Sequence, residues 1–171
     1  MATIREMMGL DQVNFATAEK DLAKITEKIM GNQKILKLLY YNTSDCLSNA
    51  DITDAAILSE IANDNVRIVP NLKIPINTGS YLMITFDQFS INATNPEYMD
   101  NLIIIDVLCP IDVWMMDDYM LRPYKLMHEL NIMLDKKKLN GIGKINFIGA
   151  NLLNLGDYTG YQLAYSVIND V

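Results

Sequence analysis

The chain is short of the residues that most active sites are built from. It carries one histidine, His128, in "MHELNIM". A helical metalloprotease motif needs a second histidine at position 132, which is Ile132, and a single histidine excludes a His-based zinc cluster. His128 therefore reads as an ordinary, partly exposed helix residue. Cysteine is almost as scarce: Cys46 lies in a polar, turn-like segment and Cys109 ends an apolar strand. Two isolated cysteines supply neither metal spacing nor a disulfide framework, so both are expected as free thiols.

Other absences narrow the field further. "NGIGKINFIG" lacks the Gly-x4-Gly-Lys-Ser/Thr spacing of a phosphate loop, with Ile145 following Lys144, and it leads into a strand rather than a helix. No serine stands in a nucleophile-elbow pattern. No catalytic, cofactor-binding or metal-binding residue is expected, and the chain reads as a non-enzyme. No run approaches the roughly 18 apolar residues of a membrane span. "MATIREMMGLDQVNF" carries Arg5, Glu6 and Asp11 and no apolar core, so a cytoplasmic protein without a secretory signal or membrane contact is expected.

The most informative absence is of positive charge. From Ile74 to Leu121 there is no lysine or arginine, while the same stretch holds Asp87, Glu97, Asp100, Asp106, Asp112, Asp117 and Asp118. Those seven acids equal the whole formal net charge of −7, so the flanks balance. Duplex binding draws on clustered Lys and Arg, so this region should repel nucleic acid. A solubilising surface is the plainer reading of the same acids.

What is present is an ordinary globular mix, half hydrophobic and one fifth charged in 171 residues, enough for one domain with a real core. In "ATAEKDLAKITEKIMG", Ala18, Leu22, Ile25 and Ile29 share a helical face and Gly31 is a stop. "NQKILKLLYY" is a second, largely buried helix. "ITDAAILSEIAN" is a third, capped by Thr53 or Asp54. "NVRIVPNLKIPINTGS", with Pro70, Pro75 and Gly79, allows short edge strands at most.

The remainder reads strand, strand, helix, strand, strand. "SYLMITFDQFS" puts Leu82, Ile84 and Phe86 on one face. "NLIIIDVLC" puts Ile103, Ile105, Val107 and Cys109 on one face and Asp106 on the other. The link "INATNPEYMD" is too long for a tight turn and should project as a hairpin arm. Asp117 or Asp118 is expected to cap the next helix, with Pro123 in its first turn. Its apolar stripe is Met120, Tyr124, Met127, Leu130 and Leu134. Lys136, Lys137 and Lys138 should meet its C-terminal dipole, and "NG" at 140–141 should end it. "KINFIGANLL" and "YQLAYSVIN" close the set around the turn "GDYTG", with Tyr161, Leu163, Tyr165 and Val167 on one face. This order predicts an α+β fold: a mainly antiparallel sheet of about four strands with helices packed on one face, preceded by N-terminal helices. An arm with helices over 1–65 and a core over 66–171 form one compact domain in this reading. Any parallel strand pair should use the helix as its crossover.

One segment does not fit a plain core. Trp114, Met115, Met116, Tyr119 and Met120 crowd a turn beside Asp112, Asp117 and Asp118. Aromatic residues and Met are enriched in interface cores, and Met surfaces adapt to partners. The alternative is that these side chains cap the end of the sheet.

A helical start, the long-armed hairpin "SYLMITFDQFSINATNPEYMDNLIIIDVLC", the amphipathic helix "YMLRPYKLMHELNIML" and the terminal pair "KINFIGANLLNLGDYTGYQLAYSVIND" together resemble the tail terminator, or tail completion, proteins of tailed bacteriophages. The resemblance covers roughly residues 66–171, with the N-terminal helices outside it. It implies a structural virion protein, assembled in the host cytoplasm, that forms a homohexameric ring at the head–tail junction. A dodecamer, or another neck ring such as a stopper or adaptor, shares this architecture. The ring would stop tail growth, contact tail tube and neck proteins, and pass DNA through its lumen without sequence-specific binding. A ring needs a head-to-tail interface. The hairpin arm 91–100, through Asn95 and Tyr98, and the loop through Trp114, Met115, Met116, Tyr119 and Met120 are the expected contacts. Asp117, Asp118, Asp112 and Glu97 are candidates to line the lumen, where like charge lets DNA slide. A dimeric regulatory module that binds a small molecule at its sheet edge is a competing class, as is an assembly factor that never enters a particle.

Overall fold

The computed structural model describes residues 15–68, 79–91, 98–139 and 143–170. In chain order these form α1 (Phe15–Met30), α2 (Gln33–Tyr40), α3 (Ala55–Glu60), β1 (Val66–Arg67), β2 (Tyr81–Ile91), β3 (Tyr98–Pro110), α4 (Arg122–Leu134), β4 (Ile145–Leu155) and β5 (Tyr158–Asp170). The fold is α+β, with five strands rather than about four, in the spatial order β1-β2-β3-β5-β4. Every neighbouring pair is antiparallel except β1 and β2, which run parallel through Val66 and Arg67. β1 is the short edge strand that the proline-bearing stretch allows. The rest of that stretch, 69–78, lies outside the described residues.

α2 and α3 begin where side chains can satisfy orphan amides. Asn32 accepts from the Lys34 and Ile35 amides to cap α2, and Asp54 accepts from Ala56 and Ile57 to cap α3. Gln33 acts as a surrogate strand partner: its amide donates to the Ile52 carbonyl at 2.9 Å, and its oxygen accepts the Ile52 N–H at 2.8 Å. α3 runs on into a single π-type turn, Ile61–Asn65.

One core joins the first helices to the sheet. Ile25 and Ile29 of α1 and the buried face of α2 pack with Leu126, Leu130 and Leu134 of α4. The strands contribute Leu82, Ile84, Ile103, Ile105, Val107, Cys109, Leu163, Tyr165 and Val167. These are the faces expected from alternation. Full burial of each such Leu or Ile contributes about 1.5–3 kcal/mol, and a one-residue slip would turn a whole set to solvent, so the burial pattern fixes the register. Gly160 permits β5 to approach β3 closely: a Cβ there would run into the Val107 carbonyl. The opposite face carries a smaller cluster of Tyr81, Met83, Leu108 and Tyr158, with the two tyrosine rings 5.6 Å apart.

Several expectations change. α4 joins β3 to β4, which run in the same direction with β5 between them, a split β-α-β unit. The parallel neighbours are instead β1 and β2, separated by residues 68–80, so the helix is not their crossover. Asp117 and Asp118 do not cap α4: Leu121 holds the cap position with no side-chain bond, because the acids are taken up in a separate turn four residues earlier. Pro123 does stand in the first turn. Leu126 lies in the buried stripe, while Tyr124 faces solvent. α4 stops at Leu134, before Lys136, Lys137 and Lys138, which therefore lie past its last turn. There Asp135 and Lys136, the latter at φ 58°, turn the chain into β4. The hairpin arm is shorter than expected, since Ile91 pairs with Met99 and Ser90 with Asp100. Only 92–97 is left between the strands, outside the described residues.

Candidate interaction site

Residues 111–121 close the end of the sheet as a tethered loop of two short 3-10 turns, Ile111–Val113 and Asp117–Tyr119. The Ile111 amide donates to the Asp157 carbonyl of the β4–β5 turn at 3.1 Å, and the Asp117 amide donates to the Ser44 carbonyl at 3.1 Å. Met115 and Leu121 form an antiparallel bridge at its neck, with the Met116 amide donating to the Met120 carbonyl at 2.8 Å.

The five apolar residues singled out here divide. Met116 is buried, and Trp114 and Met120 pack half-buried against the main core. The Trp114 indole N–H donates to the carbonyls of Cys109 at 3.3 Å and Thr159 at 3.1 Å, pinning the loop to the paired ends of β3 and β5. These three cap the sheet. Met115 and Tyr119 do not: they are 64% and 91% exposed, and Ile111 joins them at 56%. Asp118 and Tyr119 both hold left-handed backbone, at φ 57° and 58°. That conformation costs an L-residue roughly 1–2 kcal/mol. Asp tolerates it; a solvent-exposed tyrosine gains nothing visible from it within its own chain.

The anchor of this loop is Arg122, a residue that no sequence motif singles out. It is fully buried. Its Nε donates to the Val113 carbonyl at 2.9 Å, Nη1 to Leu38 and Tyr41 at 2.7 and 2.8 Å, and Nη2 to Thr43 at 2.8 Å. Leu38 lies in the last turn of α2, where carbonyls are unsatisfied and the helix dipole favours a cation. The signal in the sequence was faint: Arg122 is the first base after the long base-free run, placed at a helix start where the dipole disfavours it.

Asp112, Asp117 and Asp118 are all exposed at this end of the sheet. Asn95 and Glu97 lie outside the described residues, and Tyr98 opens β3 opposite Asp170, at the far end of a thirteen-residue strand. At about 3.3 Å per residue, Tyr98 and the loop stand at opposite ends of β3, roughly 40 Å apart.

Among the described residues nothing else converges in this way. Both cysteines are free and buried. Burial pushes the Cys109 thiol up to about 12 and also raises that of Cys46, against the pull of Arg122. Such thiols stay protonated and are poor nucleophiles. His128 is exposed. Among the described residues no group of three His, Cys, Asp or Glu side chains is placed to hold a metal ion. A cleft of about 360 Å³ between α1 and the segment after α4 is lined by Lys24, Glu27, Lys28, Lys138 and Leu139.

The architecture is thus a helix-backed, mainly antiparallel sheet with an apolar, acid-flanked knuckle at one end. The chain belongs to the YomW family, whose profile matches residues 32–167, and that family is phage-associated. The match takes in α2 and α3 as well as the sheet, so these helices are part of the family fold rather than additions to it. No curated protein matches the chain.

Proposed function

We propose that this phage-family protein is a structural, non-catalytic subunit of the virion neck. It forms a ring at the head–tail junction that ends the tail, joins it to the neck and lets DNA pass. The observation that carries this reading is Tyr119, held 91% exposed on left-handed backbone beside exposed Met115 and Ile111. Strained backbone clusters at sites of function, and a rigid, outward-facing set of aromatic, Met and Ile side chains suits a protein partner. This knuckle docks a neighbouring protein of the assembly, either the tail tube end or the next neck component. Asp112, Asp117 and Asp118 beside it keep the free subunit soluble and present like charge to passing DNA.

The test is location and symmetry. Mass spectrometry of purified particles should find the chain, labelling should place it at the head–tail junction, and native mass spectrometry should give a closed ring of six or twelve. Absence from particles would overturn the virion assignment in favour of an assembly factor. A dimer that copurifies with a small molecule would favour the regulatory module.

A further inference from the structure

We infer that the shoulder between α4 and β4 is a two-fold contact with a second copy of this chain, set antiparallel across it. The contact stands independently of the ring reading. A six- or twelve-membered ring of dihedral symmetry holds such two-fold contacts beside its head-to-tail ones.

The shoulder is held by three ties. Tyr124 of α4 reaches over β5, its hydroxyl 2.7 Å from that of Tyr161. The Phe147 amide donates to Asp135 Oδ1 at 2.9 Å and fastens the end of α4 to the start of β4. The Phe147 ring meets that of Tyr165 edge-on, with centroids 5.4 Å apart. Phe147 and Leu152 stand opposite Tyr165 and Tyr161, so both project from the helix-bearing face. Tyr165 is fully buried there, while Phe147, one strand further out, is 41% exposed. The cover that α4 gives the sheet therefore ends between β5 and β4.

The side chains at that boundary are apolar. Tyr124, Ile132, Phe147, Ile148 and Leu152 are between 41% and 63% exposed. They are five of the ten large hydrophobic side chains exposed among the described residues. Single exposed hydrophobics are ordinary, but a contiguous set marks a contact. At roughly 150–250 Å² for a whole aromatic side chain, these five present on the order of 400 Å². That is about half of what each partner gives to a stable interface, and the charged flanks supply the rest.

Those flanks select the occupant. One end of the shoulder carries Lys136, Lys137 and Lys144, all exposed. They are gathered there because Ile145 exchanges backbone bonds with Lys136 and Lys137, and Lys138 bridges to Lys144. The other end is the turn after β4, where the Asp157 carbonyl accepts the Ile111 amide and brings Asp112 alongside. Both of these acids are exposed. At about 3.3 Å per residue the two ends of β4 lie roughly 33 Å apart, too far for their charges to pair within one subunit. A partner of one charge sign would meet like charge at one end. A second copy turned about a two-fold axis at Ala150, the midpoint of β4, meets opposite charge at both. Leu152 then faces Ile148 of the copy, and Lys144 faces its Gly156–Asp157 turn. A two-fold interface must be complementary to itself, and an apolar centre with opposite charges at its two ends meets that condition.

Ala150 is exposed and the native thiols are buried, so Ala150→Cys sets one reactive thiol on the axis. Native mass spectrometry across a concentration series should show pairs of the parent, and mild oxidation of this single variant should link them by a disulfide. Leu152→Lys should weaken pairing by roughly tenfold or more, because it buries an unpaired charge, with a melting temperature within a few degrees of the parent. Lys144→Asp and Asp157→Lys should each weaken it as well, through like charges placed together, and the double variant should recover most of the loss. A protein that stays monomeric across the series overturns the inference. So do pairs that Ala150→Cys does not link, or a double variant that recovers nothing. A closed ring in which Ala150→Cys stays unlinked overturns this contact and leaves the ring standing. A linked pair that never closes into a ring supports the contact and counts against the ring.

Discussion

The Arg122 guanidinium donates to the Leu38 carbonyl at 2.7 Å, across 84 positions of sequence, and so ties the end of α2 to the start of α4. The same group holds Val113, Tyr41 and Thr43. The loop that carries Met115 and Tyr119 is therefore set by one buried fork of hydrogen-bond donors.

Replacing that fork should be severe. Arg122→Met leaves four buried or half-buried carbonyls without a donor, and each such loss costs about 1–3 kcal/mol. Thermal unfolding should show a drop of about 10 °C or more, at roughly 2–4 °C per kcal/mol for a chain of this size. Arg122→Lys keeps the charge but not the planar fork and should recover only a minor part. A lysine variant that melts with the parent would show that charge alone suffices.

Asp106 lies half-buried on the sheet face opposite the helices and accepts from the Gln162 amide at 2.9 Å. Burial raises its pKa above the ordinary carboxylate value, and the Gln162 bond offsets only part of that. A folded pKa above the unfolded one means that the contribution to stability is fully present at low pH and lost as pH rises through the folded pKa. Asp106→Asn should therefore be more stable than the parent at neutral pH, with the gain vanishing as pH falls toward 3.8, the ordinary value of an aspartate. Melting curves of both proteins across that range will show the crossover or its absence.

Gly160→Ala tests the close approach of β3 and β5. The added methyl meets backbone, which cannot rotate away. A loss of more than about 4 kcal/mol is expected, read as failure to give a cooperative unfolding transition at ordinary growth temperature. The neighbouring exposed site Ala150→Ser serves as the tolerant control.

Tyr119→Gly separates stability from assembly. Glycine takes left-handed backbone without strain, so the subunit should hold its stability or gain about 1 kcal/mol. Binding to the tail tube end or neck partner should fall by at least tenfold if Tyr119 is an anchor. Calorimetry of the subunit and pull-down with purified tails give the two readouts. Unchanged binding removes Tyr119 from the docking surface.

Reversing Asp117 and Asp118 to lysine tests the acidic rim. Both are exposed and neither caps a helix, so the fold should tolerate the change. Phage carrying the substitutions should form particles yet release DNA slowly and plate poorly. Normal infectivity would remove these acids from the path of DNA.

Local chemistry was readable along much of the chain. Alternation in "NLIIIDVLC" and "YQLAYSVIN" predicts the faces that are buried, because a strand has only two sides and one must meet the helices. Asp54 and Gly156 were readable for the same kind of reason: a cap needs a short acceptor, and the two-residue hairpin turn at 156–157 needs positive φ at Gly156. Asp117 and Asp118 misled because they precede a helix by several residues, and sequence does not say where a loop ends and a helix starts.

The sequence by itself determined the α+β class, the strand faces and the acid-rich, base-free middle, since these follow from periodicity and composition. Only the tertiary structure decided which of five crowded apolar residues face water. Trp114 turns inward because the Cys109 and Thr159 carbonyls are brought together there, fifty residues apart in the chain. Tyr119 turns outward because Arg122 gathers carbonyls from two other segments and fixes the loop behind it. Such contacts depend on distances between distant segments, and no local pattern encodes those.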